Sequence, residues 1–158
     1  MGERLEPHLD WVLDTKSPYI AARPIEGVLV CVQHAHSSRR RMELGFHPTR
    51  AVIKDEVHEL IATDEAGAGM KRTVNRIAYV GNFTVSCSGV IIVRDRVEIG
   101  GQLVGYVAGF DETHMPNHMN IVIKSVGPMR DGKELGLKVE DPVVFRMGDE
   151  PPNLVDVD

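Results

Sequence analysis

The sequence has few of the features that mark secreted, membrane-bound and nucleic-acid-binding proteins. Its 158 residues include two cysteines, too few for a disulfide framework, and we expect Cys31 and Cys87 to be buried free thiols. No apolar run approaches the roughly 20 residues that a membrane-spanning helix needs. Residues 1–7 are charged and lack the apolar segment of a signal peptide. We therefore expect a soluble, cytoplasmic protein without a membrane partner.

Clustered positive charge is also scarce. The chain carries 18 lysines and arginines against 23 aspartates and glutamates, which gives a net charge of −5. Binding to nucleic acid requires a basic face that contacts several phosphates. The one dense basic run, at residues 39–41, is too short to supply such a face. We therefore expect no nucleic-acid partner.

What the sequence does contain is typical of one globular domain. Its apolar fraction of 42% and charged fraction of 26% are ordinary, and a chain of this length buries a core without disulfide or metal staples. We expect a single domain at residues 1–148 that begins with a short helix at residues 7–14. Residues 149–158 are acidic and rich in proline, which predicts a loose tail. We also expect a homo-oligomer.

Short apolar runs rich in β-branched residues dominate the second half of the chain. Glycine, serine, asparagine and aspartate pairs separate them as turns, and Gly100-Gly101 suits a two-residue hairpin. Many short strands at this spacing indicate a barrel or a sandwich rather than a layered α/β sheet. We therefore predict a mainly β fold, a small closed or partly open β-barrel with short helices. The predicted strands are residues 27–32, 77–80, 83–87, 90–93, 97–99, 103–107, 121–124 and 143–147.

Two short helices are expected within the barrel domain. Residues 49–63 place Ile53, Val57 and Leu60 at helical spacing, with charged residues between them, although the residue types also permit a strand. His58 falls on the polar side of this helix and is expected at the surface. Residues 131–137 are expected to form one further helical turn.

A pair of histidines ends the first predicted strand. His34 and His36 are two residues apart, so in an extended chain their side chains point to the same face. This arrangement allows both imidazoles to reach one zinc or iron ion, and we predict His34 and His36 as metal ligands. The alternative is that two histidines simply end a strand beside a polar loop.

The densest group of ionisable side chains lies at residues 109–120. Pro116 predicts a turn, and His118 and Asn120 then stand two apart at the start of a strand, where they share a face. We predict that His118 and Asn120 bind a divalent metal ion, and that Asn117 joins them in binding a polar ligand. The alternative is that these side chains only satisfy local backbone groups.

The preceding loop adds three groups suited to proton transfer. Asp111, Glu112 and His114 lie within nine residues of Asn120, and we predict them as catalytic acid–base residues if the protein is an enzyme. Whether His34 and His36 join this site depends on where their strand ends, which the sequence leaves open.

Two segments resemble a known family. Residues 116–122 (Pro-Asn-His-Met-Asn-Ile-Val) and 133–145 (Lys-Glu-Leu-Gly-Leu-Lys-Val-Glu-Asp-Pro-Val-Val-Phe) are similar to the strand entry and the closing segment of archaeal CTP-dependent riboflavin kinases. The resemblance implies a cradle-loop (RIFT-type) barrel. It also implies that His118 and Asn120 occupy the positions that bind the magnesium of the nucleotide. Histidine departs from the family here, because it favours zinc, iron or nickel.

Three hypotheses for function follow. The leading one is a barrel that binds a small molecule or a divalent metal ion and uses the 109–120 loop, with or without catalysis. The second is a non-catalytic subunit or assembly module that docks a protein partner through the same loop. The third is a nucleotide-dependent kinase of the barrel type.

Overall fold

A computed structural model of the chain describes residues 19–148, and all the regular secondary structure in this range is strand. The predicted N-terminal helix and acidic tail lie outside the described residues. Within them, no helix is long and apolar enough to cross a membrane. The strands are β1 (Ile25–Ser37), β2 (Met42–Glu43), β3 (Thr49–Val52), β4 (Val57–Thr63), β5 (Thr73–Val74), β6 (Ile77–Val85), β7 (Gly89–Ile92), β8 (Arg96–Ile99), β9 (Gln102–Asp111), β10 (Asn120–Ser125) and β11 (Pro142–Arg146).

Seven of these strands close into a barrel in the order β1-β11-β8-β9-β10-β4-β6, while β2–β5 and β3–β7 form two small ribbons. The prediction of a mainly β fold and a closed barrel is therefore confirmed. An odd number of strands cannot alternate in direction all the way around a closed ring, so at least one neighbouring pair must be parallel. In this barrel the parallel pair is β10–β4, which we call the parallel seam.

Apolar side chains fill the inside of the barrel and also cover part of its outside. Leu60 on β4 and Ile121 on β10 belong to the larger interior core. The next residues along each strand, Ile61 and Val122, belong to a smaller core that includes Met42 and Val74 of the β2–β5 ribbon. Since neighbouring residues of a strand point to opposite faces, both faces of β4 and β10 are buried at the seam.

The predicted helix at residues 49–63 is wrong, because this stretch forms β3, a turn and β4. Ile53 and Val57 would have belonged to its apolar face, but they are 65% and 42% exposed. The six residues from His58 to Thr63 are all buried, as expected for a strand covered on both faces. The expected surface position of His58 is also wrong, since this residue is only 2% exposed.

Two smaller differences concern the predicted helical turn at residues 131–137 and Gly81. The predicted helical turn at residues 131–137 is a hydrogen-bonded turn with one α-helix-type bond, from the Leu135 N–H to the Asp131 carbonyl, beside bonds from Gly136 to Lys133 and from Leu137 to Gly132. No turn breaks β6 at Gly81, where a Cβ atom would lie 2.2 Å from the carbonyl oxygen of Cys31 on β1. The close approach of β1, rather than a turn, explains this glycine.

Two further expectations concern the hairpin and the cysteines. The Gly100-Gly101 hairpin is confirmed: it joins β8 to β9, and both residues have positive φ, 59° and 79°. Both cysteines are free, as expected. However, the expected burial is wrong, because Cys31 is exposed and Cys87 is only half-buried.

Candidate functional site

The parallel seam places three polar side chains side by side on the outer face of the barrel. Asn120 on β10 lies opposite Glu59 on β4 and opposite Asp111 on β9. Residues that pair across neighbouring strands present their side chains to the same face. All three residues are buried, so their polar atoms must find partners in the protein or in a ligand.

Asn120 has one satisfied and one unsatisfied end. Its Nδ2 donates to Asp111 Oδ2 over 2.9 Å, while Asp111 Oδ1 accepts from the Thr113 hydroxyl over 2.6 Å. A carboxylate only accepts hydrogen bonds, so the bond to Asp111 fixes which end of the amide is nitrogen. Asn120 is only 1% exposed, and within residues 19–148 its buried Oδ1 has no hydrogen-bond partner. The buried Asn120 Oδ1 can therefore accept a hydrogen bond from a ligand.

Glu59 stands at the centre of a second set of contacts. Gln33 of β1 donates from Nε2 to Glu59 Oε1 over 3.4 Å, which again fixes its amide and leaves the buried Gln33 Oε1 without a partner. His118 Nε2 lies 3.0 Å from Glu59 Oε2, an ion-pair distance that lacks the geometry of a hydrogen bond. We refer to Gln33, Glu59, Asp111, His118 and Asn120 together as the Glu59 network.

The loop before β10 covers this network with histidines. The ring of His114 stacks on that of His118, with centroids 5.1 Å apart, and Asn117 Nδ2 lies 2.8 Å from His118 Nδ1. Glu112 points away from the network and pairs with Arg50 over 3.2 Å. The predicted residues Asp111, His118 and Asn120 are thus brought together with Asn117 and His114 at the rim, whereas Glu112 lies outside.

A third histidine, His58 on β4, is hydrogen-bonded to the loop before β10. Its Nδ1 accepts a hydrogen bond from the Met119 backbone N–H over 3.1 Å, and its Nε2 lies 3.0 Å from Glu56 Oε2. Because a backbone N–H can only donate, Nδ1 must be unprotonated and the ring carries its hydrogen on Nε2. Burial lowers the pKa of His58 below its usual 6.5, and the contact with Glu56 opposes this only in part.

His34 and His36 lie in a different cluster, at the turn that follows residue 130. His34 Nδ1 is 2.7 Å from Asp131 Oδ2, and His36 Nε2 is 3.6 Å from the same oxygen. His36 Nε2 also makes a short contact with Glu134 Oε1. We refer to His34, His36, Asp131 and Glu134 as the turn cluster.

The carboxylates of the turn cluster are held in place by reciprocal bonds. The Glu134 N–H donates to Asp131 Oδ1 and the Asp131 N–H donates to Glu134 Oε1. Burial alone would raise the pKa of Asp131, but the bond from the Glu134 N–H and the contacts with His34 and His36 outweigh it and lower that pKa. The pKa of Glu134 is lowered by the Asp131 N–H and by His36.

The two histidine pairs do not form one site. Among residues 19–148, the histidine, cysteine and carboxylate atoms that converge as a possible metal group belong to His36, Asp131 and Glu134, and they lie within 4.8 Å of one another. His118 is not part of this group. The metal ligands predicted from the sequence, His34, His36, His118 and Asn120, are therefore divided between the turn cluster and the Glu59 network.

Four residues of the two clusters escaped the sequence interpretation. Asp131 and Glu134 carry a signal, because an acidic residue followed three positions later by glutamate has the spacing of a capping box. Glu59 and Gln33 carry none. Their positions depend on how strands far apart in the sequence pair.

Comparison with known proteins gives a family but no activity. Residues 19–146 match the model described as "Family of unknown function (DUF6917)". No curated protein and no solved structure matches the chain. The comparisons therefore add nothing to the resemblance between this sequence and the riboflavin kinases.

Proposed function

The chain belongs to the DUF6917 family, whose function is unknown, and we propose that it is a small-molecule-binding barrel that holds a cationic ligand at the Glu59 network. The observation that carries this proposal is the buried Asn120 Oδ1, which has no hydrogen-bond partner in the described part of the chain although the amide nitrogen is held by Asp111. A buried unpaired acceptor costs about 1–3 kcal/mol. A ligand that donates a hydrogen bond to it recovers that free energy.

The chemistry of the network favours a donor that is positively charged. Glu59, Asn120 and Gln33 all present oxygen atoms, and two of these oxygens have no partner. A protonated primary amine offers three N–H donors and one positive charge. Such a group would bond to the amide oxygens and offset the charge of Glu59.

The loop residues take distinct parts in this proposal. Asn120 accepts from the ligand, Asp111 positions the Asn120 amide, and His118 with Asn117 closes the site from the solvent side. His114 lies at the rim of the network and remains a predicted acid–base residue, whereas Glu112 lies outside the network and pairs with Arg50. A reaction of the bound ligand would draw on His114 first, because its ring stacks directly on that of His118.

A thermal-shift screen tests the proposal. The probes are methylammonium and ethylenediamine, compared with methanol and ethylene glycol at the same ionic strength. We expect the amines to raise the melting temperature of the wild-type protein and to leave the melting temperature of Glu59→Gln unchanged. Glu112→Gln is the matched control, since Glu112 lies outside the network, and it should respond like the wild type.

Two results would overturn the proposal. One is the absence of any amine response at millimolar concentration, together with a crystal structure in which an ordered water bonds to Asn120 Oδ1. The other is an equal response in Glu59→Gln. The same screen includes CTP and ATP with Mg²⁺, because the resemblance to riboflavin kinases predicts protection by a nucleotide.

Docking of a protein partner through the same loop is the second candidate. It is favoured by Met115, a large apolar side chain that is 37% exposed beside the exposed Pro116. Crosslinking at this loop distinguishes the two functions. A docking loop crosslinks to a partner in wild-type protein but not in Met115→Ser, whereas the amine response is the same in both.

A further inference from the structure

We propose that His36, Asp131 and Glu134 form a site for one divalent transition-metal ion, at a different place from the ligand site of the Glu59 network. One imidazole nitrogen and oxygens of two carboxylates converge within 4.8 Å. A purely acidic surface cluster would offer oxygen alone. Here the addition of His36 creates the mixed donor set that transition metals prefer.

The carboxylates are oriented before any metal arrives. Asp131 Oδ1 is occupied by the Glu134 N–H over 2.9 Å, so Oδ2 is the oxygen that faces the histidines. The Asp131 side chain is fully buried, which restricts its motion. A ligand that is already positioned loses little conformational entropy when it binds a metal.

The turn itself is locked against the barrel by contacts that do not involve the metal-binding side chains. The Gly132 N–H donates to the Tyr79 carbonyl, and the Lys133 N–H donates to the Gln33 carbonyl. A Cβ atom at Gly132 would lie 2.1 Å from the Val80 carbonyl oxygen, so this residue fits only as glycine. These contacts fix the distance between Asp131 and the histidines of β1.

A change in the register of β1 brings both histidines into contact with Asp131. Between Val32 and Ala35 the pairing of β1 with β6 shifts, as in a β-bulge, which re-aims side chains. Both His34 and His36 then contact Asp131. The His-x-His spacing noted in the sequence therefore does produce a shared target, although the target is a carboxylate turn.

The distances suit a metal ion after small side-chain movements. Ligand atoms around a tetrahedral ion with bonds of about 2.0 Å lie roughly 3.3 Å apart, and His36 Nε2 is 3.6 Å from Asp131 Oδ2. The short contact of His36 with Glu134 must lengthen as the ion enters between them. Binding requires the neutral imidazole, so any proton on His36 is released to solvent.

His34 acts as a positioning residue in this proposal. Its Nδ1 lies 2.7 Å from Asp131 Oδ2, and it donates to the oxygen that also faces His36. Partners of this kind orient a ligand, and their loss typically weakens metal binding roughly 10- to 100-fold. The ion would join β1 to the 131–137 turn, whose Leu135 and Leu137 pack against the interior core. The ion would therefore stabilise the packing of this turn against the barrel.

Calorimetric titration with Zn²⁺ tests the site, using the full chain without a histidine tag and after treatment with a chelator. We expect one zinc per chain, and weak or no response to Mg²⁺ and Ca²⁺, which prefer oxygen ligands. His36→Ala and Glu134→Gln should abolish binding, and His34→Ala should weaken it roughly 10- to 100-fold. Glu134→Gln keeps an acceptor for the Asp131 N–H, so it tests the ligand without removing the turn.

The matched control is His114→Ala, which removes an exposed histidine at the rim of the Glu59 network and should leave zinc binding unchanged. A Co²⁺ absorption spectrum that is present in wild type and lost in Glu134→Gln adds a readout of the ligand set itself. The proposal fails if wild-type protein binds no Zn²⁺ at millimolar concentration. It also fails if His114→Ala abolishes binding while Glu134→Gln, folded by circular dichroism, retains it.

Discussion

The Glu59 network and the turn cluster both contain histidine, aspartate and glutamate but differ in burial and in hydrogen bonding. In the turn cluster, His34 and His36 are more than two-fifths exposed and each contacts a carboxylate. In the Glu59 network, Asn120 is buried and one of its polar atoms has no partner. The turn cluster makes its contacts without a ligand, whereas the Glu59 network leaves a buried oxygen unpaired within residues 19–148.

This difference teaches what each cluster can bind. A satisfied, partly exposed cluster gains from a metal ion only because the ion replaces protons between ligands that already converge. A buried cluster with unpaired oxygens gains from any donor, and most from one that carries positive charge. Burial and unpaired oxygen atoms, rather than the number of histidines, separate a polar ligand site from a metal site.

The largest expected loss in the free energy of unfolding comes from a change at the buried Asn120. Asn120→Asp conserves volume but sets a third carboxylate between Asp111 and Glu59, so we expect a loss of about 3–5 kcal/mol in the free energy of unfolding. Asn117→Asp makes the same chemical change on the exposed loop and should stay within about 0.5 kcal/mol. Urea unfolding measures both. Equal losses in the two variants would contradict the burial of the network.

The next largest effect is the acid sensitivity expected at His58, the buried histidine that bonds to the loop before β10. His58 is neutral in the folded protein with a lowered pKa, and Glu56, Arg50 and His118 are the charged or titratable groups acting on it. The unfolded chain therefore binds the extra proton first, and stability falls as the pH drops below about 6.5 and continues to fall through the folded-state pKa.

His58→Gln should flatten this part of the stability–pH profile, because glutamine does not titrate and its amide oxygen can accept from the Met119 N–H. Unfolding curves between about pH 5 and 8, a range that spans the usual histidine pKa, make the comparison. An unchanged slope in His58→Gln would show that another group causes the acid loss.

A smaller effect is expected in the turn cluster. Asp131→Ala removes the oxygen that accepts from the Glu134 N–H and should cost about 1–2 kcal/mol, as for the loss of other capping residues. Asp131→Asn retains an acceptor and should cost less. Thermal unfolding in the presence of a chelator measures this local contribution without metal. A cost above that of Asn120→Asp would reverse the comparison.

The smallest effect is expected at Glu112, which lies outside both clusters. Its ion pair with Arg50 spans 3.2 Å between partly exposed side chains, and such pairs contribute at most about 1 kcal/mol. Glu112→Gln should therefore shift the free energy of unfolding by about 0.5 kcal/mol or less. A larger loss, measured by urea unfolding, would mean that Glu112 takes part in the network after all.

Much of the fold could be predicted from short-range patterns, and the largest error has its origin in tertiary packing. The strands after residue 76 and the Gly100-Gly101 hairpin follow from β-branched runs and turn residues. The β4 strand was mistaken for a helix because both of its faces are buried at the parallel seam, which removes the alternation that identifies strands. Tertiary packing, rather than local preference, decides its structure.

The candidate sites divide in the same way. Residues close in sequence, such as Asp111, His118 and Asn120, were found together because their turn and strand bring them together locally. Glu59 joins Asn120 only through the pairing of β4 with β10, and Asp131 joins His34 from 97 positions away. A single sequence carries no local pattern for such pairs.

The parallel seam also has a kinetic consequence. It joins residues far apart in the sequence, as the bond between Met119 and His58, 61 positions apart, illustrates. Contacts of this separation require a large loop to close, which makes them slow to form. A ligand held by Glu59 and Asn120 can bind only chains whose barrel has already closed. Such a ligand is expected to slow unfolding while leaving the rate of folding unchanged.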